Sequence, residues 1–244
     1  MMVRRLWPAL AAGALALAGG AQAADGAPGW LKLIHWISGD SDATAVPITM
    51  MGPHMQMSRP APARPGDRAR AADIVDAARA VLARYPDEAA AARDGYKPFH
   101  QTGEIGEEVH LTSLRWAYAE GGRIDYAHPG SLLFRRTRDG LRPVGVMYSA
   151  GPKADAAELD ARAPMSVATW HRHVDFCWAV GRGREAENDG PRFGYAGSIH
   201  DEATCRRENG YWLPLAFGWM THVYPDRADP WGGEEMEPGM AMAH

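Results

Sequence analysis

The sequence predicts an α+β fold: a single domain on a mainly antiparallel sheet with a few helices, extended by Met-rich arms at both ends. Three observations predict this class. Short runs with two-residue alternation recur near 107–112, 131–137, 141–150, 170–177 and 211–224, joined largely by hairpin-length links. The clearest helical stripe is confined to 67–85, so helices are expected to be short and few. No internal repeat is visible beyond two methionine-rich segments, which argues against a solenoid or propeller.

The chain opens with Arg4 and Arg5, a short apolar core over 6–17, and the small-x-small site Ala21-Gln22-Ala23. These are the parts of a secretory signal peptide. Cleavage after Ala23 leaves 221 of the 244 residues, and losing the two arginines takes the formal net charge from −4 to −6. Such an acidic balance argues against a nucleic-acid partner, which calls for a basic surface. No later apolar run approaches the ~20 residues that cross a bilayer. A soluble periplasmic or secreted protein is expected, divided into the signal peptide 1–23, an extended arm 24–67, a globular domain 68–228 and a tail 229–244.

The arm begins with a short amphipathic piece, 30–37, suited to covering core, and ends in a proline-rich linker, 58–65. Between them lie Met50, Met51, His54, Met55 and Met57. The tail repeats the theme with Met236, Met240, Met242 and His244. Seven of the ten methionines left after cleavage lie in these two polar, Pro/Gly-broken segments, where they have no apolar neighbours to form a core. Thioethers with imidazoles suit a soft ion, Cu(I) above all. A floppy tail or a partner-binding strip is the plainer alternative.

In chain order, residues 67–85 form the main helix: Ile74, Val75, Ala78, Val81 and Leu82 make one stripe, and Pro86 ends it. A second short helix is expected over 87–93. Residues 107–112 and 114–118 both suggest strand, with His110, Glu107 and Glu108 as a solvated edge; an approach to a metal is the alternative for these three. Arg138-Asp139-Gly140 supplies the turn of a hairpin between 131–137 and 141–150. Short helices are expected at 155–161 and 202–209, the latter capped by Ser198 or Asp201, with a long loop over 181–197 before it.

The chemistry concentrates on Trp170-His171-Arg172-His173-Val174-Asp175-Phe176-Cys177. Extended, it places His171, His173, Asp175 and Cys177 on one face, with Trp170, Val174, Phe176 and the Arg172 stem on the other. The run 218–225 offers His222 as a third imidazole, on one face with Met220 and Tyr224. Three histidines are the minimum for a site that accepts Zn(II), Cu(II) or Fe(II), with water or Asp175 completing the set. Cys177 and Cys205 are the only cysteines, and export favours their pairing, worth roughly 3–4 kcal/mol by chain entropy. His35 admits either role, while His100, His128 and His200 suit loops and helix caps.

Three functions follow as expectations. The first is a metal-binding protein, for copper above zinc or iron, with the metal ion and a periplasmic metal-trafficking protein as partners. The second is a metal-dependent enzyme with a three-histidine mononuclear site and Asp175 or Glu108 as base. The third is a non-catalytic interaction protein. The chain has no nucleophile elbow, phosphate loop, dinucleotide fingerprint or His-Glu-x-x-His helix.

These motifs together resemble an uncharacterised family of exported bacterial proteins. The pattern comprises Met51-Gly52-Pro53-His54-Met55-Gln56-Met57, Gly95-Tyr96, Ser131-Leu132-Leu133-Phe134 and Gly145-Val146-Met147-Tyr148. It continues with Trp170-His171, His173, Cys177, Cys205, Phe217-Gly218-Trp219-Met220 and His222-Val223-Tyr224-Pro225. The resemblance implies that the motifs belong together and carries no activity. The Met/His segments separately look like those of periplasmic copper-handling proteins.

Overall fold

The computed structural model describes residues 26–99, 103–181, 192–195 and 197–232. The expected signal peptide, His100, Met236, Met240, Met242 and His244 lie outside the described residues. Among the described residues, six helices and eight strands make one α+β body. The strands are β1 (Ile48–Met50), β2 (Met55–Ser58), β3 (Lys97–Pro98), β4 (Glu108–Thr112), β5 (Ser131–Thr137), β6 (Gly140–Ala150), β7 (His171–Ala179) and β8 (Gly210–Val223). They form a single sheet in the order β1-β2-β7-β8-β6-β5-β4-β3, with every neighbouring pair antiparallel.

The helices are α1 (Gly29–Ser38), α2 (Asp67–Arg84), α3 (Glu88–Arg93), α4 (Leu114–Glu120), α5 (Ala156–Arg162) and α6 (Glu202–Arg207). Aspartates start three of them: Asp87, Asp155 and Asp201 accept from the backbone N–H three residues on. The stripe of α2, with Ala71, Ile74, Val75, Ala78 and Val81, joins the main core on one face of the sheet. That core includes Trp170, Trp219, Val146, Tyr148, Leu132 and Phe134. Arg172 is buried within the same layer, donating to Gln56 Oε1 at 2.8 Å with its guanidinium over the Trp219 ring.

Three expectations change. Residues 24–67 are not an extended arm: α1 packs Leu31 and Ile34 against Phe176, Leu213 and Ala216, and β1–β2 form one edge of the sheet. Residues 114–118 are helix, not strand: despite the Leu114/Trp116/Tyr118 alternation they form a surface helix of about two turns whose Leu114 and Tyr118 are exposed. Residues 211–217 and 218–224 are one strand interrupted by a bulge. Between the pairs His171↔Met220 and His173↔Ala216, β8 carries three residues opposite the single Arg172. Phe217 takes φ +66 there, and Gly218 lies so close to Ala150 that a Cβ would sit 2.0 Å from its carbonyl oxygen.

No helix among the described residues is long and apolar enough to cross a membrane.

Candidate metal site

The second face of the sheet carries the chemistry. Directly opposed residues on antiparallel strands project to the same side, so the register defines the face row by row. Met57 opposes His171, which opposes Met220 across the bulge. Met55 opposes His173. His222 opposes Met147, and on the far side His110 opposes Leu133. Four imidazoles and four thioethers therefore occupy one surface: His110, His171, His173 and His222 with Met55, Met57, Met147 and Met220.

Curvature closes this surface on itself. Neighbouring strands lie about 4.8 Å apart, so β4 and β8, with β6 and β5 between them, would be roughly 14 Å apart in a flat sheet. The rings of His110 and His222 are nevertheless only 5.4 Å apart, and Phe99, just after β3, meets Phe217 on β8 at the same separation. His171 lies 4.9 Å from His222 and 5.5 Å from His173, all edge to face. Metal–nitrogen bonds of about 2 Å place two imidazoles sharing a tetrahedral ion with ring centres about 5 Å apart. As the side chains lie, no three His, Cys, Asp or Glu among the described residues form a set able to hold an ion. The spacing fits a shared ion, and convergence requires ring rotation with thioethers as further donors.

Burial keeps these rings neutral. It pushes His171 down to about 3 and His173 to about 4, each helped by neighbouring imidazoles, and lowers His110 and His222 as well. Neutral imidazole is the ligating form, so no proton has to leave before coordination. His222 is 8% exposed, and its Nε2 has no hydrogen-bond partner. Its Nδ1 lies 3.2 Å from the Tyr224 hydroxyl, which donates to Glu108 Oε1 at 2.7 Å. Glu108 Oε2 in turn lies 3.5 Å from Arg135, an ion pair too long to be a hydrogen bond.

The other sequence-predicted residues separate. Met50 opposes Gln56, the neighbour of Arg172, and so sits on the opposite face, while Met51 is exposed in the turn. His54 is buried with both ring nitrogens turned to backbone carbonyls, those of Val174 and Gly197, and its ring stacked on Phe176. Those two contacts make it a strut between segments rather than a donor to an ion.

Asp175 and Cys177 leave the histidine face. Asp175 takes φ +58, and beyond it the alternation inverts: Phe176, not Cys177, shares the side of His173, their rings 5.9 Å apart. The electrostatic neighbours of Asp175 are Asp42, His54, His200 and Arg172 rather than the clustered histidines, and burial raises its carboxyl to about 6. Cys177 is joined to Cys205 as a disulfide on the other side, packed with Phe193 and Ile199.

His110, expected at a solvated edge, belongs to the cluster; Met147 and the Glu108–Tyr224 pair were not foreseen. Met220, His222 and Tyr224 at two-residue spacing signalled part of the set, but the place of β4 beside β5 has no local signature. His35 bonds Tyr211, His128 pairs with Asp125 and stacks on Trp116, and His200 bonds the Ser198 carbonyl, all structural roles. Two surface hollows, one bordered by Asp87, Glu88 and Arg142 and the other by Arg64, Asp67 and Ser166, lie away from the imidazoles.

No family model matches this chain. Neither does any curated protein or solved structure.

Proposed function

We propose that the protein is an exported binder of a soft metal ion, Cu(I) above all, acting in copper binding or homeostasis outside the cytoplasm. The observation that carries this reading is the mixed ladder in which Met57 and Met55 stand opposite His171 and His173, with Met220, Met147, His222 and His110 on the same face. Thioether sulfur is a poor donor to Zn(II) or Mg(II) and a good one to Cu(I), so the methionines select the ion while the imidazoles supply basicity. The Cys177–Cys205 disulfide accords with an oxidising compartment.

Two of the soft donors, Met147 and Met220, are held in place by packing with Leu133, Val144 and Tyr224, which suits a binding site. The test is metal content and competitive Cu(I) titration of the full chain beside a His171→Ala/His173→Ala/His222→Ala variant. Stoichiometric uptake by the wild type and a loss of at least a hundredfold in affinity by the variant are expected. Equal affinity in both, or no uptake, would refute the reading.

A further inference from the structure

His222 raises a question that general metal chemistry leaves open: which ring nitrogen carries its proton. The answer follows from the order of donors behind it. Glu108 faces Arg135 at 3.5 Å, and its Oε1 accepts from the Tyr224 hydroxyl 2.7 Å away, which spends that group's one proton. The hydroxyl oxygen is then left to accept from His222 Nδ1 at 3.2 Å. A neutral imidazole with its proton on Nδ1 carries a lone pair on Nε2, the buried nitrogen without a hydrogen-bond partner.

We propose that Glu108 and Tyr224 are positioning residues that lock His222 in the Nδ1–H tautomer and so present Nε2 as the donor for a cuprous-class ion. This rests on the metal reading of the face. The Glu108 carboxyl thus orients the imidazole through one intervening phenol, as a carboxylate does directly behind many metal-bound histidines. Tyr224 suits the role because its ring is itself fixed: it is fully buried, and at Gly145 a Cβ would come within 2.8 Å of its Cδ1. Gly145 is thus the close approach that lets the phenol lie beside β6 with its hydroxyl between His222 and Glu108.

The two partners make opposite perturbations. Tyr224→Phe keeps the packed ring and removes the constraint, so His222 should sample both tautomers. Glu108→Ala releases the Tyr224 proton to donate to Nδ1, so His222 should invert to Nε2–H, the form that cannot ligate through Nε2.

The experiment combines nitrogen-15 NMR of the histidine rings in metal-free full-length protein with Cu(I) competition, using thermal melting to confirm folding. The expected result is Nδ1–H at His222 in the wild type, mixed tautomers in Tyr224→Phe and Nε2–H in Glu108→Ala. Cu(I) affinity should fall about 10- to 100-fold in each, the usual cost of losing such a partner. Combining Tyr224→Phe with His222→Ala should cost no more than His222→Ala alone. An Nε2–H ring in the wild type, or fully additive losses, overturns the proposal while leaving Cu(I) uptake intact. Correct tautomers in a wild type that takes up no Cu(I) instead overturn the metal reading and, with it, the function assigned to the lock.

Discussion

Removing the disulfide should cost stability without costing metal. Cys177 and Cys205 close a loop across 28 positions, and both are fully buried on the side of β7 away from His173. Chain entropy for a loop of that length is worth about 3.5 kcal/mol at 25 °C. Replacing both residues by alanine also leaves two small voids at about 1 kcal/mol each, so the total expected loss is about 5 kcal/mol. With a urea slope of about 2.5 kcal/mol/M for a domain of this size, the unfolding midpoint should fall by about 2 M. Urea unfolding of the Cys177→Ala/Cys205→Ala variant, followed by circular dichroism, measures this, and Cu(I) stoichiometry is titrated on the same sample. A midpoint shift under 0.4 M, about 1 kcal/mol at that slope, would refute the view that the bridge fastens α6 to the end of the histidine strand. Loss of Cu(I) from a still-folded variant would refute the assignment of the cysteines to the non-ligating side.

Two other outcomes are expected. Met55→Leu/Met57→Leu should weaken Cu(I) binding at least tenfold in competition titration, while Met50→Leu/Met51→Leu should leave it unchanged, because only the first pair shares the histidine face. Glu120 is 1% exposed, and burial raises its carboxyl to about 8 from 4.5. A raised folded-state value stabilises fully below about 4.5 and is progressively lost as pH rises toward 8. The wild type should therefore lose about 3 kcal/mol from this group between pH 4.5 and 7, at 1.36 kcal/mol per unit. Glu120→Gln should remove that slope, which urea unfolding across the pH range checks.

What was legible in the sequence was local. The hairpin of β5 and β6, the stripe of α2 and the Asp201 cap announce themselves within a few residues, and the His-x-His alternation holds through His173. It fails at Asp175, where one positive φ inverts the faces and moves Cys177 away from the imidazoles. The methionine-rich segments stand out in composition, but composition does not separate Met55 and Met57, on the histidine face, from Met50 and Met51, which lie off it. The alternation of Met55 and Met57 about Gln56 is that of a strand, which lies between β1 and β7, and its register beside β7 is set by pairing across more than a hundred residues. His110 was harder still, because its approach to His222 depends on the curl of four strands. Non-local pairing and curvature leave no period in the chain.

If imidazoles and thioethers on one sheet face share a soft ion, X-ray absorption at the copper edge of Cu(I)-loaded protein should show it. The expected shell is mixed, nitrogen near 2.0 Å and sulfur near 2.3 Å, as first-row ions take from such donors, with the sulfur contribution reduced in Met55→Leu/Met57→Leu. A shell of nitrogen and oxygen alone, unchanged by that variant, would contradict it.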